Sequence, residues 1–230
     1  MSRKVFTAGE VLAAADVNSF LMDQTVMSFA GTAARGSAIG TAVEGMVTYL
    51  EDIDDLRIYN GSSWVSPYGM TLLADTTFTS QNSVSFNNVF SAAYRNYKVI
   101  YDLTGGGGRS NIRLRAAGSD DTGSNYVSSR ISAFSTNLSS AGSVSAQTSF
   151  IDVAERGDSG QGFGEITIYS PFVNTNTAIN FTSLFRYAAE GQYIRIGTGQ
   201  NTVTTSFDGF TFFAQFPPIT GNIKVYGLRG

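Results

Sequence analysis

The chain has 230 residues, a formal net charge of −3, 42% hydrophobic residues and only 14% charged residues. This length allows one large domain, or one domain with a smaller appendage, and the apolar content suffices for a core and argues against global disorder. Cysteine and histidine are both absent, which excludes disulfides, thiolate metal sites and Ser-His-Asp or Cys-His catalysis.

Two further classes are not expected. The chain has no basic run, so we expect no nucleic-acid binding. It has no 18-residue apolar stretch and no signal-peptide pattern, so we expect a soluble protein made in a cytoplasm, without membrane insertion.

The first predicted element is a helix from Thr7 to about Ala30, opened by a capping box of Thr7 and Glu10. Apolar residues recur along it at heptad-like spacing. The stripe packs either on its own domain or against copies of itself in a parallel bundle whose register a polar residue fixes. We favour the bundle, because little nearby sequence could cover the stripe. The predicted trimerisation residues of the helix are Val11, Asn18, Met22, Val26 and Phe29.

A linker of small residues, 31–45, precedes the segment Glu44–Val65, which alternates like two or three short strands. Asn60-Gly61 predicts a tight turn. Trp64, the only tryptophan, is predicted to close a very small core and to join the trimerisation residues. Residues 66–77 are predicted to be a second connector.

The remainder has period-two alternation in ten runs of about five to ten residues, separated by Gly-, Asp- and Asn-rich turns. In these runs Ile112, Ile166, Ile194 and Ile196 are predicted to face the core, with Arg195 on the wet face. The fold class is therefore mostly β: an N-terminal helix and small hairpin unit (1–70), then an antiparallel β-sandwich, jelly-roll-like (75–230).

No stretch of the sequence carries a catalytic, metal or cofactor motif. The glycine run Gly105–Gly108 leads into a strand, so we expect a flexible hairpin tip rather than a phosphate cradle. The acidic groups around Asp120 and around Asp152 and Glu155 lack calcium-loop spacing and are expected to be solvated turns. We therefore expect no cofactor and no enzyme activity, with glycan cleavage by paired carboxylates the one enzymatic alternative.

The candidate binding loops are 104–110, 118–126, 155–164 and 198–206, chosen because they are polar, Gly-rich and expected to be exposed. Tyr126 in particular is expected on the surface. The candidate receptor-binding residues in these loops are Arg109, Asp120, Asn125, Tyr126, Gln161, Gln200 and Asn201.

The order of parts is similar to that of minor tail and tail-fibre proteins of tailed bacteriophages, especially those of actinobacterial hosts. The resemblance covers about the first 65 residues. It is carried by "FTAGEVLAAADVN" (residues 6–18), with Phe6, Gly9 and Asp16, and by a later unit with Tyr49, Glu51 and Trp64. The segment 88–103 and the closing "GNIKVYGLR" resemble fibre-type β-sandwich domains more loosely.

The resemblance implies a homotrimer in the virion, joined to other virion proteins by its N-terminus and binding a host cell-surface glycan distally. A small hairpin would then be stable because three copies share one core. Two alternatives stay open: a capsid fibre or decoration protein with a purely structural role, and a glycan-cleaving fibre.

Overall fold

The computed structural model describes residues 7–11, 13–15, 25–105, 107–134, 137–157, 160–189 and 191–228, with only the backbone given for 134 and 137–144. The protein is mostly β, with antiparallel sheets. It divides into two compact units, Met1–Gly69 and Met70–Gly230. Each unit has its own sheets.

Among its described residues, the first unit contains a four-stranded sheet and a short helix between the first two strands. Its elements are β1 (Val26–Phe29), α1 (Thr32–Ala38), β2 (Val47–Leu50), β3 (Asp55–Tyr59) and β4 (Trp64–Val65). The strands lie in the order β1-β2-β3-β4. β1 is parallel to β2, and the other pairs are antiparallel. Parallel neighbours need a crossover connection, and α1 lies within it.

The helix predicted up to Ala30 is wrong at its C-terminal end. Val26 and Phe29 lie in β1, and the predicted linker contains α1. The segment "VMSF" forms a strand because it pairs with β2, and its residues alternate in exposure as those of a strand do. Asn18 and Met22 fall outside the described residues. Val11 is not helical and is 87% exposed.

Strands β3 and β4 are antiparallel neighbours in the first unit, joined by a short turn. Gly61 has a φ of +91° in the turn after β3, and the Asn60 carboxamide oxygen accepts hydrogen bonds from the backbone N–H groups of Ser62 and Ser63. Trp64 is half-buried and packs against Tyr59 at 5.3 Å between ring centroids. A strand, a turn with a glycine in the left-handed region and a returning strand follow from "LRIYNGSSW".

The second unit consists of thirteen strands among its described residues. They are β5 (Met70–Gln81), β6 (Ser83–Phe86), β7 (Asn96–Thr104), β8 (Gly108–Ala116), β9 (Ser119–Asp120), β10 (Tyr126–Phe134), β11 (Asn137–Gln147), β12 (Phe150–Arg156), β13 (Gln161–Tyr169), β14 (Thr177–Tyr187), β15 (Gly191–Asn201), β16 (Gly209–Ala214) and β17 (Ile219–Leu228). All ten predicted runs overlap strands. The predicted connector is wrong from Met70 onward, where β5 begins, and β11 was not predicted.

These strands form two antiparallel sheets. The large sheet has the order β11-β10-β15-β14-β13-β7-β17-β5, and the small sheet has the order β12-β8-β16-β6, with β9 beside β8. Both sheets contribute to one hydrophobic core, for example Val99 and Ile166 from the large sheet and Ile112 and Phe212 from the small one. Two sheets that bury one face each against a common core are a stable solution for antiparallel strands.

Strand β15 has the opposite orientation to the predicted one. Arg195 is 6% exposed, whereas Ile194 is 36% exposed and Ile196 is 47% exposed. Gly197 and Gly199 take the next inward positions, where a Cβ atom at Gly197 would overlap the ring of Phe181. Large aromatic rings and a paired arginine therefore occupy the inner side of β15, and the isoleucines lie on the outer face of the sheet.

Candidate functional site

The outer face of the large sheet is ordered in rows of cross-strand partners. One row, here named the polar row, is Ser129, Thr198, Asn180, Thr167 and Lys98. The next row along the strands, the mixed row, is Ile131, Ile196, Thr182, Glu165 and Ile100. Side chains at matched positions of neighbouring strands lie close enough to act together.

An open groove of about 480 Å³ lies along these two rows, and we name it the outer-face groove. Its outward lining consists of hydroxyl, amide and carboxylate groups with two isoleucines. Ligand sites of a few hundred Å³ commonly combine apolar surface with a few polar groups that determine orientation. The groove lining is Ser129, Arg130, Ile131, Glu165, Thr167, Asn180, Phe181, Thr182, Ile196, Gly197 and Thr198.

The polar groups of the groove are positioned by local bonds. Glu165 forms an exposed ion pair with Lys98 at 2.7 Å, and the Asn180 amide donates to the Tyr169 hydroxyl at 3.2 Å. The Thr198 hydroxyl donates to the Ile179 carbonyl at 2.9 Å. These side chains project from paired strands, so their spacing is determined by the sheet. Such an array can offer several hydrogen bonds to a hydroxyl-rich ligand.

A buried charged cluster lies behind the groove, between the two sheets. Asp152 and Glu155 of β12 have side chains only 3% exposed. Arg130 binds Asp152 at 2.7 Å, Arg195 pairs with Glu155, and Arg109 lies within 3.4 Å of both carboxylates. The expectation that Asp152 and Glu155 are solvated turns is therefore wrong. Buried charges require such partners, because desolvation is costly.

Burial also changes the ionisation of groups in this cluster. Desolvation lowers the pKa of Arg130 below its ordinary value. Burial, followed by the hydrogen bond that its hydroxyl donates to Glu155 at 2.6 Å, raises the pKa of Tyr187 to about 12. Each carboxylate is engaged by guanidinium groups on the core side of the sheet. The cluster thus connects β12 to β10 and β15 beneath the groove.

The four predicted binding loops form two pairs rather than one site. Loop 118–126 meets loop 198–206, where Thr202 donates its N–H to the Asn125 carbonyl at 2.9 Å. Loop 104–110 meets loop 155–164, where a Cβ atom at Gly107 would lie 3.1 Å from the Gly157 carbonyl oxygen. The pairs lie at opposite ends of β8, whose nine residues span roughly 25 Å.

At the first of these pairs, several predicted residues have structural partners. Asn201 is buried and donates to Asp121 at 2.8 Å, and Asn125 donates to the same carboxylate at 3.3 Å. Asp120 pairs with Arg115. Gln200 is exposed.

The exposure expected for Tyr126 is wrong. The side chain is fully buried, its hydroxyl donates to the Asp121 carbonyl at 3.1 Å, and it accepts from the Leu114 N–H at 3.0 Å. Burial raises its pKa above the ordinary value.

At the second pair, Arg109 and Gln161 are exposed at least in part. Sequence reasoning missed the groove, whose residues lie on strands rather than loops. It also missed the loop 215–218 beside Arg109. In the sequence of β13 to β15, residues with hydroxyl or amide side chains recur at alternate positions. Alternation alone, however, does not distinguish a solvent-exposed face from a binding face.

A scan against protein-family models finds no match to this chain, and searches of curated proteins and of solved structures find none either. Among the described residues, no helix is long and apolar enough to cross a membrane. Within the same residues, no group of three or more Asp or Glu side chains is arranged to hold a metal ion.

Proposed function

We propose that the chain is a virion structural protein of a tailed bacteriophage: a homotrimeric minor tail or fibre protein. In this proposal residues 1–70 join the particle and trimerise, and residues 75–230 bind a glycan of the host surface. The resemblance of the first 65 residues supports the first half of the proposal. The outer-face groove is the observation that carries the second half.

The groove favours a carbohydrate for a chemical reason. A glycan presents many hydroxyl groups on rings with apolar C–H faces. The groove offers hydroxyl, amide and carboxylate groups from four adjacent strands, next to Ile131 and Ile196. Weak sites of this kind, repeated three times per trimer and again over several fibres, give strong attachment through avidity.

We further propose that the second unit is a jelly roll. Its strands pair in nested order: β5 with β17, β6 with β16, β7 with β13, and β8 with β12. This order is what a long hairpin produces when it rolls up into two sheets. The strands β9–β11 and β14–β15 would then be insertions: β10, β11, β14 and β15 extend the large sheet, and β9 pairs with β8 in the small one. Jelly rolls occur in viral capsid and lectin domains, in keeping with a virion protein.

The small core of the first unit supports the proposal of a trimer. Its described buried apolar side chains are Met46 and Leu50, which is a very small core for a sheet and a helix. Along β3 and β4, Leu56, Ile58 and Trp64 are only half-buried. Contact with two further copies would bury this surface and offset the cost of ordering the chain.

Glycan binding is tested with the full chain, labelled and applied to a printed panel of bacterial surface polysaccharides. We expect retention on at least one polysaccharide, reduced roughly tenfold, about 1.4 kcal/mol, by the double substitution Asn180→Ala and Thr198→Ala. Asp102→Ala, on the same face of β7 but outside the groove, is the control. Retention on no polysaccharide would favour the purely structural role, and shortening of a retained polymer would favour the cleaving one.

A further inference from the structure

Arg156, the last residue of β12, is fully buried and holds a neighbouring loop by its backbone. One guanidinium nitrogen donates to the Pro218 carbonyl at 3.0 Å, and the other donates to the Phe216 carbonyl at 3.3 Å. Among the ion pairs of the described residues, none includes Arg156. A buried arginine whose partners are main-chain carbonyls stabilises the position of that main chain.

The glycine-rich segments around Arg156 make room for it. A Cβ atom at Gly108 would lie 3.2 Å from a guanidinium nitrogen of Arg156 and 3.1 Å from the Cβ atom of Phe216. A Cβ atom at Gly162 would lie 3.2 Å from Cγ of Arg156, and one at Gly105 would lie 3.8 Å from its guanidinium. Gly105 and Gly108 of the glycine run thus line the arginine.

The residue before Phe216 is held as well. The Gln215 N–H donates to the Arg109 carbonyl at 2.8 Å. The side-chain amide of Gln215 donates to the side-chain oxygen of Asn111 at 3.2 Å and to Asp152 at 3.1 Å. The backbone on both sides of Phe216 is therefore tied to buried groups, which leaves little freedom to the loop 215–218.

Phe216 itself is not buried. It is 64% exposed, and Pro217 and Pro218 beside it are exposed too. A phenyl ring in water is unfavourable, and here buried groups hold its backbone at the surface. Such a pre-organised aromatic residue is a typical anchor for a ligand, because little conformational entropy is lost on binding.

The loop lies at one particular end of the second unit. The chain enters this unit at Met70. Across the large sheet, the row of cross-strand partners that begins at Met70 includes Leu228 and Tyr169. The loop 215–218 precedes Thr220, whose row contains Gln161. Tyr169 and Gln161 are eight residues apart on β13, roughly 25 Å. Phe216 is therefore at the end opposite to the entry of the chain.

We propose that Phe216 is a carbohydrate contact at this end, where a sugar ring stacks its C–H face on the phenyl ring; this inference rests on the proposed function. Gln161 is exposed, and Arg109 is 45% exposed beside its ion pairs with Asp152 and Glu155. Both lie at the ends of strands beside the loop and offer donors to the hydroxyl groups at the rim of the sugar. A single phenyl ring, with two exposed prolines beside it, is a small apolar surface that suits a sugar. It is too small for a protein partner, since stable protein interfaces bury about 800 Å² on each side.

The test uses the full chain on the same polysaccharide panel, with three variants that leave the outer-face groove intact. Phe216→Ala is expected to weaken retention roughly tenfold, and Phe216→Tyr, which keeps the ring, is expected to stay within about threefold. Phe172→Ala is the matched control, because Phe172 is a partly exposed phenylalanine outside this loop. Thermal unfolding of each variant confirms that the second unit is folded.

Each outcome separates this inference from the proposed function. Binding by the wild type that Phe216→Ala leaves unchanged overturns the Phe216 contact while the proposed function stands. Equal losses from Phe216→Ala and Phe172→Ala also overturn it. Retention of the wild type on no polysaccharide overturns both. Loss with Phe216→Ala, but not with the double substitution in the groove, supports the Phe216 contact and contradicts the groove.

Discussion

Glu155 of β12 accepts a hydrogen bond from Arg195 of β15 inside the second unit, and this ion pair joins the small sheet to the large one. The Tyr187 hydroxyl donates to the other oxygen of the same carboxylate. Glu155 also donates its backbone N–H to the Ser183 hydroxyl. One residue of β12 is thus bonded to both strands of the β14–β15 hairpin.

Removal of one partner of this pair is expected to be strongly destabilising. Glu155→Gln leaves the Arg195 guanidinium buried without its counter-charge, which typically costs about 3–5 kcal/mol in the free energy of unfolding. Urea unfolding followed by circular dichroism measures the change. The control is Glu165→Gln, which breaks the exposed pair with Lys98 and is expected to cost at most about 1 kcal/mol. Equal losses in both variants would contradict the importance of burial.

Alkaline pH is expected to destabilise the second unit through Tyr101, which is buried, and Tyr187, which is half-buried. Burial raises the pKa of Tyr187 to about 12 and raises the pKa of Tyr101 as well. Unfolded tyrosines ionise near pH 10, at about their ordinary value. The folded state therefore holds its protons more tightly, so this stabilisation is complete below about pH 10 and is lost as the pH rises towards 12.

Melting temperatures measured between pH 8 and pH 12 check this expectation. Tyr187→Phe should make the decline above pH 10 shallower, since one raised group no longer titrates. Tyr68→Phe changes an exposed tyrosine of the first unit and should leave the decline as it is. An unchanged slope in Tyr187→Phe would show that its ionisation is not linked to unfolding.

Gly162 is expected to tolerate no side chain. A Cβ atom there would overlap the carbonyl oxygen of Glu155 and press on Arg156. Gly162→Ala should therefore lower the free energy of unfolding by about 2 kcal/mol, a typical cost of overpacking. Gly69→Ala is the control, because nothing lies within 4 Å of its added methyl group. Similar urea midpoints for the two variants would argue against this close approach of β12 and β13.

Trp64 is expected to support both the first unit and the trimer. Its ring packs against Tyr59, and the Arg35 guanidinium lies 4.4 Å from the ring centroid. Trp64→Ala should cost about 2–3 kcal/mol, below the usual range for a fully buried tryptophan because this one is half-buried, and should shift the mass in light scattering from trimer towards monomer. Tyr68→Ala removes an exposed aromatic ring of the same unit and should change neither. A monomeric wild type would remove the reason given for the small hairpin.

Much of the second unit follows from local pattern. Ile112, Leu114, Ile166 and Ile223 are fully buried, as their alternation with polar residues predicts. The two long strands that were not predicted have weaker patterns. β5 is an edge strand with register shifts against β17, and β11 is composed largely of Ser, Ala and Gly, so neither has a regular apolar face.

The candidate site was less accessible to sequence reasoning. Loop composition predicted Arg109, Asn125, Gln161 and Asn201 as binding residues, but nothing local shows which loops meet or at which end of the sheets they lie. The outer-face groove requires four strands that are far apart in sequence to be neighbours. Until the strand order of the sheet is known, the residues of the groove cannot be distinguished from those of any other solvent-exposed strand face.

The sequence by itself determined the β class, the strand runs, the Asn60-Gly61 turn and the absence of cysteine and histidine chemistry, because each depends on residues close together in the chain. The tertiary structure decided which face of β15 is buried, since the pairing of Arg195 with Glu155 brings together residues 40 positions apart. It also decided that Val26 and Phe29 form a strand and that Arg156 holds the loop of Phe216. Each of these results depends on the energy of a long-range contact, which outweighs local preference when it satisfies a buried charge or a strand edge.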